Sequence, residues 1–104
     1  MKRLTKNYFS SNEAYTPRNQ KEKTLARAFI KLKTEKEVGN FLRDLMTLPE
    51  IEEFANRLEI ARLLTEGFSY KSIAEKTGAS TTTVTRVAHW LYKGCGGYIK
   101  VLKK

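Results

Sequence analysis

Cysteine, histidine and proline are scarce in this 104-residue sequence, which has one cysteine (Cys95), one histidine (His89) and two prolines. A lone thiol excludes an internal disulfide framework, and one Cys with one His cannot supply a structural zinc site from those ligand types. Apolar runs are only a few residues long, which excludes a membrane span. Lys2, Arg3 and Lys6 lie near the start, but Asn7, Ser10, Ser11 and Asn12 stand where a secretory signal needs its apolar stretch, so a cytoplasmic protein is expected. No phosphate-binding glycine loop, zinc spacing or paired acid site appears. Glu50, Glu52, Glu53 and Glu59 read as helix-start and surface charges, with no metal. His89 has no acid close by in its helix to orient it as a general base, and Cys95 sits in a glycine-rich turn as an incidental thiol. Binding is therefore expected ahead of catalysis, with no cofactor.

Positive charge is what the chain has in excess: 20 Lys and Arg against 11 Asp and Glu, a net +9. It is unevenly spread, at +7 over residues 1–33, −4 over 34–66 and +6 over 67–104. An acidic scaffold between basic ends suits a polyanionic partner, although a solvated charged face gives similar counts. With 40% hydrophobic residues the chain can build one small core.

Residues 1–22 show no apolar period and are expected to form a flexible basic arm, with residues 23–104 as the folded domain. Leu25, Ala28, Phe29 and Leu32 then fall at the spacing of one buried helical face. Thr34 with Glu37 forms a capping box for a second helix, in which Val38, Phe41, Leu42 and Leu45 repeat that spacing. Thr47 and Glu50 start a third helix, which Gly67 stops. This helix carries two apolar stripes, one with Phe54 and Leu58 and another with Ile60, Leu63 and Leu64, so it must be covered on more than one side. Ser69 and Ser80 cap two further helices, and Tyr98 to Leu102 suggest a last turn or two. Nothing alternates as a strand does, so the chain is expected to be all-α.

The informative stretch runs from Phe68 to Gly94. Ala74 stands where two helices approach closest, Gly78 fits a turn requiring positive φ, and Val84 and Val87 lie on the inner face of the second helix, with Ile73 and Leu91 adding contacts. That is the spacing of a helix-turn-helix, which a plain helical hairpin can match by chance. Outside these core positions the second helix presents Ser80, Thr81, Thr82, Thr83, Thr85, Arg86 and His89. Short hydroxyl side chains let a helix lie deep in the major groove of double-stranded DNA, whereas four threonines otherwise make a weak helix. Ser80, Thr81, Thr82 and Thr85 are therefore the expected base readers, and Ser69, Lys71, Lys76, Arg86 and Lys93 the expected phosphate contacts.

From Leu25 onward, and most closely over residues 47–87, the chain resembles the Trp repressor family in its YerC/YecD-type branch. The resemblance implies a Trp-repressor-like helical bundle: an intertwined homodimer whose two reading heads meet successive major grooves of a near-palindromic operator. A second subunit would also cover the two-striped helix. Arg57 and Arg86 match the arginines that flank the indole in true Trp repressors, and Thr47 and Thr83 match further pocket positions. Directly after the reading-helix arginine the tryptophan-binding type has a glycine, and four residues after it a serine; this chain has Val87 and Trp90. The pocket is therefore expected to be vestigial, with Trp90 either filling the indole volume or serving as a plain core residue. Free L-tryptophan is not the expected corepressor, and the residues name no other small-molecule effector.

The expected function is that of a sequence-specific DNA-binding transcriptional regulator, a repressor acting as a homodimer. Two other readings stay open. One is the DNA-recognition domain of a transposase or replication factor, disfavoured because no catalytic carboxylate domain follows. The other is a helical protein-interaction module with merely solubilising ends, which would show no salt-sensitive duplex binding.

Overall fold

The computed structural model describes residues 13–103, which hold six α-helices and no strand. They divide into two compact units, Tyr15–Glu53 and the chain from Phe54 onward.

In the first unit, α1 (Gln20–Ile30) starts where the Asn19 side chain accepts a hydrogen bond from the Glu22 amide at 3.0 Å. It thus takes in residues 20–22, assigned above to the arm, because a polar cap and not an apolar period begins it. Residues 1–12 of that arm lie outside the described part. Helix α2 (Glu35–Leu45) is capped by Thr34, whose hydroxyl accepts from the Glu37 amide at 3.1 Å. The reciprocal bond of the capping box is displaced by one residue, since Glu37 accepts from the Lys33 amide at 2.7 Å and not from that of Thr34. The Phe29 ring meets Phe41 edge-on, with centroids 5.2 Å apart. No residue of α1 or α2 is buried.

Helix α3 (Leu48–Thr65) opens with the predicted reciprocal cap: the Thr47 hydroxyl accepts from the Glu50 amide at 3.3 Å, and Glu50 accepts from the Thr47 amide at 2.9 Å. The Thr47 amide, and after it the Thr47 hydroxyl, hold the Glu50 carboxyl below the usual carboxylate range. The helix ends at Gly67 (φ 90°), where the Phe68 amide bonds the Leu63 carbonyl and the Gly67 amide that of Leu64. A left-handed residue is needed to turn these amides back, which favours glycine.

The second unit is built on the later turns of α3 together with α4 (Tyr70–Thr77), α5 (Thr81–Lys93) and the short α6 (Gly97–Leu102). Its core comprises Ile60, Ala61, Leu63 and Leu64 from α3, Ile73 from α4, and Val84, Val87, Ala88 and Leu91 from α5, all 5% exposed or less. Tyr98, Ile99 and Leu102 of α6 pack against it. Each fully buried Leu, Ile or Val contributes about 1.5–3 kcal/mol from its removal from water. Only one of the two expected stripes of α3 is covered, for Phe54 and Leu58 are 46% and 41% exposed. No described helix is long and apolar enough to cross a membrane.

Candidate nucleic-acid interface

Helices α4 and α5 are joined by the turn Gly78–Ala79–Ser80. The Ser69 hydroxyl accepts from the Ser72 amide at 3.0 Å and begins α4; Gly78, at φ 77°, ends it with its amide on the Ala74 carbonyl. Ser80 then begins α5. The inner positions Ile73, Val84, Val87 and Leu91 are buried as the spacing predicts, and Ala74 packs against them. Because those residues lock α5 to the core, its other side faces outward in a fixed orientation.

That outer side holds Thr81, Thr82, Thr85, Arg86, His89 and Trp90, which line a shallow open hollow of about 680 Å³. The threonines are not equivalent. Thr85 donates its hydroxyl proton to the Thr81 carbonyl at 2.9 Å, leaving a methyl group and acceptor lone pairs outward. Thr81 and Thr82 are exposed, and their hydroxyls bond nothing among the described residues. Thr83 departs from the predicted outer face: it is half-buried, and its hydroxyl accepts from that of Ser80 at 3.1 Å. Ser80 also accepts from the Thr83 amide at 3.1 Å, so its proton and one of its two lone pairs hold the start of α5.

Lys71, Lys76, Arg86 and Lys93 are all exposed, with Glu75 the only acidic residue from position 67 to the end. The Lys76 ammonium rests over the Phe68 ring, 5.0 Å from its centroid, a cation–π contact that restrains the side chain without neutralising it.

A second and smaller pocket of about 200 Å³ lies on the flank of α5. Its walls bring together Arg57, Thr83, Arg86, Val87 and Trp90, the residues that the resemblance placed in a corepressor site, and add Thr82 and Tyr98. Thr47 belongs to the first unit, where its hydroxyl caps α3. The Arg57 guanidinium lies 5.6 Å from the centroid of Phe54. Tyr98 is half-buried, and burial raises its phenol pKa while the charge of Arg57 opposes the rise. Sequence reasoning missed Tyr98 as a wall residue; its aromatic ring amid the apolar positions of the last helix was the one available signal. Trp90 is corrected in the other direction: at 53% exposure it is no core residue, and it borders the pocket on the outer surface.

Among the described residues, no three His, Cys, Asp or Glu side chains are grouped as metal ligands would be. Cys95 is free and exposed.

With this geometry in hand, the likeness to known proteins is specific. The Trp repressor protein family matches residues 20–104. The Bacillus subtilis (strain 168) protein YerC is 41% identical over 80 residues, 77% of either chain. The crystal structure of a TrpR-like protein from Eubacterium eligens ATCC 27750 superposes with a TM-score of 0.78 at 40% identity, covering 83% of this chain and 89% of that one. A Staphylococcus aureus structure gives 0.76 at 33% identity, covering 82% and 85%. A match of that length supports a DNA-binding regulator, and it agrees with an all-helical fold whose second unit presents a hydroxyl-rich helix outward. The chain belongs to the Trp repressor family.

Proposed function

We infer that the chain is a sequence-specific DNA-binding transcriptional repressor, that α4 and α5 act as its helix-turn-helix, and that α5 enters the major groove. The observation that carries this reading is the outer face of α5, exposed, rich in short hydroxyl side chains and fixed by the buried face behind it. Thr81 and Thr82 read base edges with hydroxyls that have both donor and acceptor capacity, and Thr85 offers a methyl group suited to thymine. Ser69, Lys71, Lys76, Arg86 and Lys93 hold the phosphates and set register.

The working form is a homodimer on a near-palindromic operator. The uncovered stripe of α3 and the lack of any buried residue in α1 and α2 support a second copy as the missing partner. Free L-tryptophan is not required, since Val87 and Trp90 stand where the tryptophan-binding type carries glycine and serine.

Selection from random duplexes tests the reading. The expected product is a two-fold-related motif bound with an affinity that falls steeply as salt is added. Enrichment of no sequence, or binding insensitive to salt, overturns it. Thr82→Ala should change which sequences are selected. Lys71→Ala should weaken every duplex and reduce the salt slope by about one unit per lost phosphate contact.

A further inference from the structure

The outward face of α5 has one feature that base reading by threonines does not use. Trp90, the sole tryptophan, is 53% exposed at the far end of the same hollow that holds Thr81 and Thr82. Exposed indoles are uncommon because they forgo a large gain from burial, and this one has two close neighbours that limit where its ring can lie. On one side, a Cβ on the buried Gly94 would lie 2.2 Å from the Trp90 carbonyl oxygen and 3.0 Å from ring atom Cε3, so the ring and backbone of Trp90 close over a position only glycine can fill. On the other, His89 meets the indole edge-on, with ring centroids 5.4 Å apart and planes at 86°.

Spacing along the helix gives the positioned ring a target. Thr82 and Trp90 are eight residues apart, and at 1.5 Å of rise per residue the indole lies about 12 Å along the helix axis from that threonine. The major groove is about 8.5 Å deep, and a reading helix that enters it N-terminus first meets base edges with its N-terminal residues. With Thr82 at the bases, the last turn of α5 therefore stands at the wall of the groove, where the sugar–phosphate backbone runs. An indole N–H is a donor without acceptor capacity, matching a phosphate oxygen, and the ring body matches the apolar face of a deoxyribose.

We propose that Trp90 is a DNA-backbone contact, its indole N–H donating to a phosphate oxygen and its ring packing on the adjoining sugar, with Gly94 and His89 as the residues that position it. This rests on the reading of α5 as the groove-entering helix. A neutral donor sets it apart from the lysines: it strengthens binding to every sequence yet displaces no condensed counterion.

The test uses the full chain and the best duplex from random selection, with binding measured across a salt series. Trp90→Phe, which keeps a ring but loses the N–H, should bind every duplex about fivefold more weakly, and Trp90→Ala about tenfold or more, both with the wild-type salt slope. Because Trp90 is the only tryptophan, its fluorescence reports the contact directly, and adding duplex should shift the emission of the wild-type protein. Unchanged emission together with unchanged affinity of Trp90→Phe overturns the proposal while leaving the regulator reading intact. An emission shift that follows protein concentration without DNA overturns it in favour of burial between two copies. If the wild-type chain binds no duplex, both readings fall. Circular dichroism melts of the variants should match the wild type; where Trp90→Ala does not fold, Trp90→Phe decides.

Discussion

The two units of this small chain are held together by different physics. From Phe54 onward, nine apolar residues are buried at 5% exposure or less, and the termini of α4 and α5 are closed by serine caps at one end and glycine at the other. Between Tyr15 and Glu53 the helices have equally regular apolar spacing and equally good N-caps, yet nothing in α1 or α2 is buried. Leu25, Phe29, Ile30, Leu45 and Leu48 are 37–78% exposed. Good local signals therefore give helices in both places, but only one place has partners for their apolar faces. The contrast teaches that helix formation and core formation are separate achievements, the second needing a surface that the first unit does not find within itself. Under the proposed function this division has a use: a groove-entering α5 needs a rigid backing, whereas α1 and α2 are left with apolar area for a second copy.

The sharpest way to break the comparison is to attack the core. Ile73→Ala removes a fully buried side chain from the centre of the second unit and should cost about 2–5 kcal/mol in urea denaturation followed by circular dichroism. The difference from wild type should be the same at high and low protein concentration, because the contact lies within one chain. A loss well under 1 kcal/mol would mean that the second unit is not packed as described.

The first unit should respond to concentration instead. Phe41→Ala deletes a ring that is half-buried and touches Phe29. If a second copy covers this face, the variant should weaken self-association by about 10–100-fold, the equivalent of about 1.5–3 kcal/mol for a buried aromatic side chain. Sedimentation equilibrium measures this. Each tenfold dilution of the wild type should also remove about 1.4 kcal/mol of dimer stability and lower the thermal midpoint. A chain that stays monomeric at all concentrations with its helix content intact would sink the assembly reading.

The contrast also explains which parts could be read in advance. Serines 69 and 80, Thr34, Thr47 and Gly67 and Gly78 declare helix ends through side chains that bond the backbone a few residues away, a short-range chemistry that sequence displays directly. The inner face of α5 was legible for the same reason, since a 3.6-residue period sorts Val84, Val87 and Leu91 from the threonines. What escaped depends on groups distant in sequence or on competition between nearby bonds. Tyr98 reaches the wall of the Arg57 pocket only through the packing of α6, and nothing local announces that. The period places Thr83 on the outer face and Ser80 among the base readers, whereas the structure bonds the two to each other at the start of α5, a pairing that the spacing does not display. The start of α1 was set too late because Asn19 and Glu22 are polar, and a search for apolar rhythm passes over them.

That last misplacement marks the smallest and most local test of the comparison, an acid titration. Glu22 accepts from the Arg18 guanidinium at 2.8 Å, from the Arg18 amide at 3.0 Å, and from the Tyr15 hydroxyl. The Arg18 side chain contributes most, its amide next and Tyr15 after that, and together they pull the carboxyl from 4.5 down to about 2. A folded-state pKa below the unfolded value means that the interaction stabilises the start of α1 fully above pH 4.5 and is lost as pH falls toward 2. Glu22 is half-buried but its partner Arg18 is exposed, so the effect is small and confined to the first turn of the helix. A carbon-13 titration of the Glu22 carboxyl by NMR should show a midpoint near 2 in the wild type and a clear rise in Arg18→Ala. Over the same pH range the amides of α1 should lose hydrogen-exchange protection before those of α4 and α5, whose packing rests on apolar contacts that do not titrate. Loss of protection in both units together would show that the first has no separate weakness, and a Glu22 midpoint at the ordinary carboxylate value would show that its polar cap does not form.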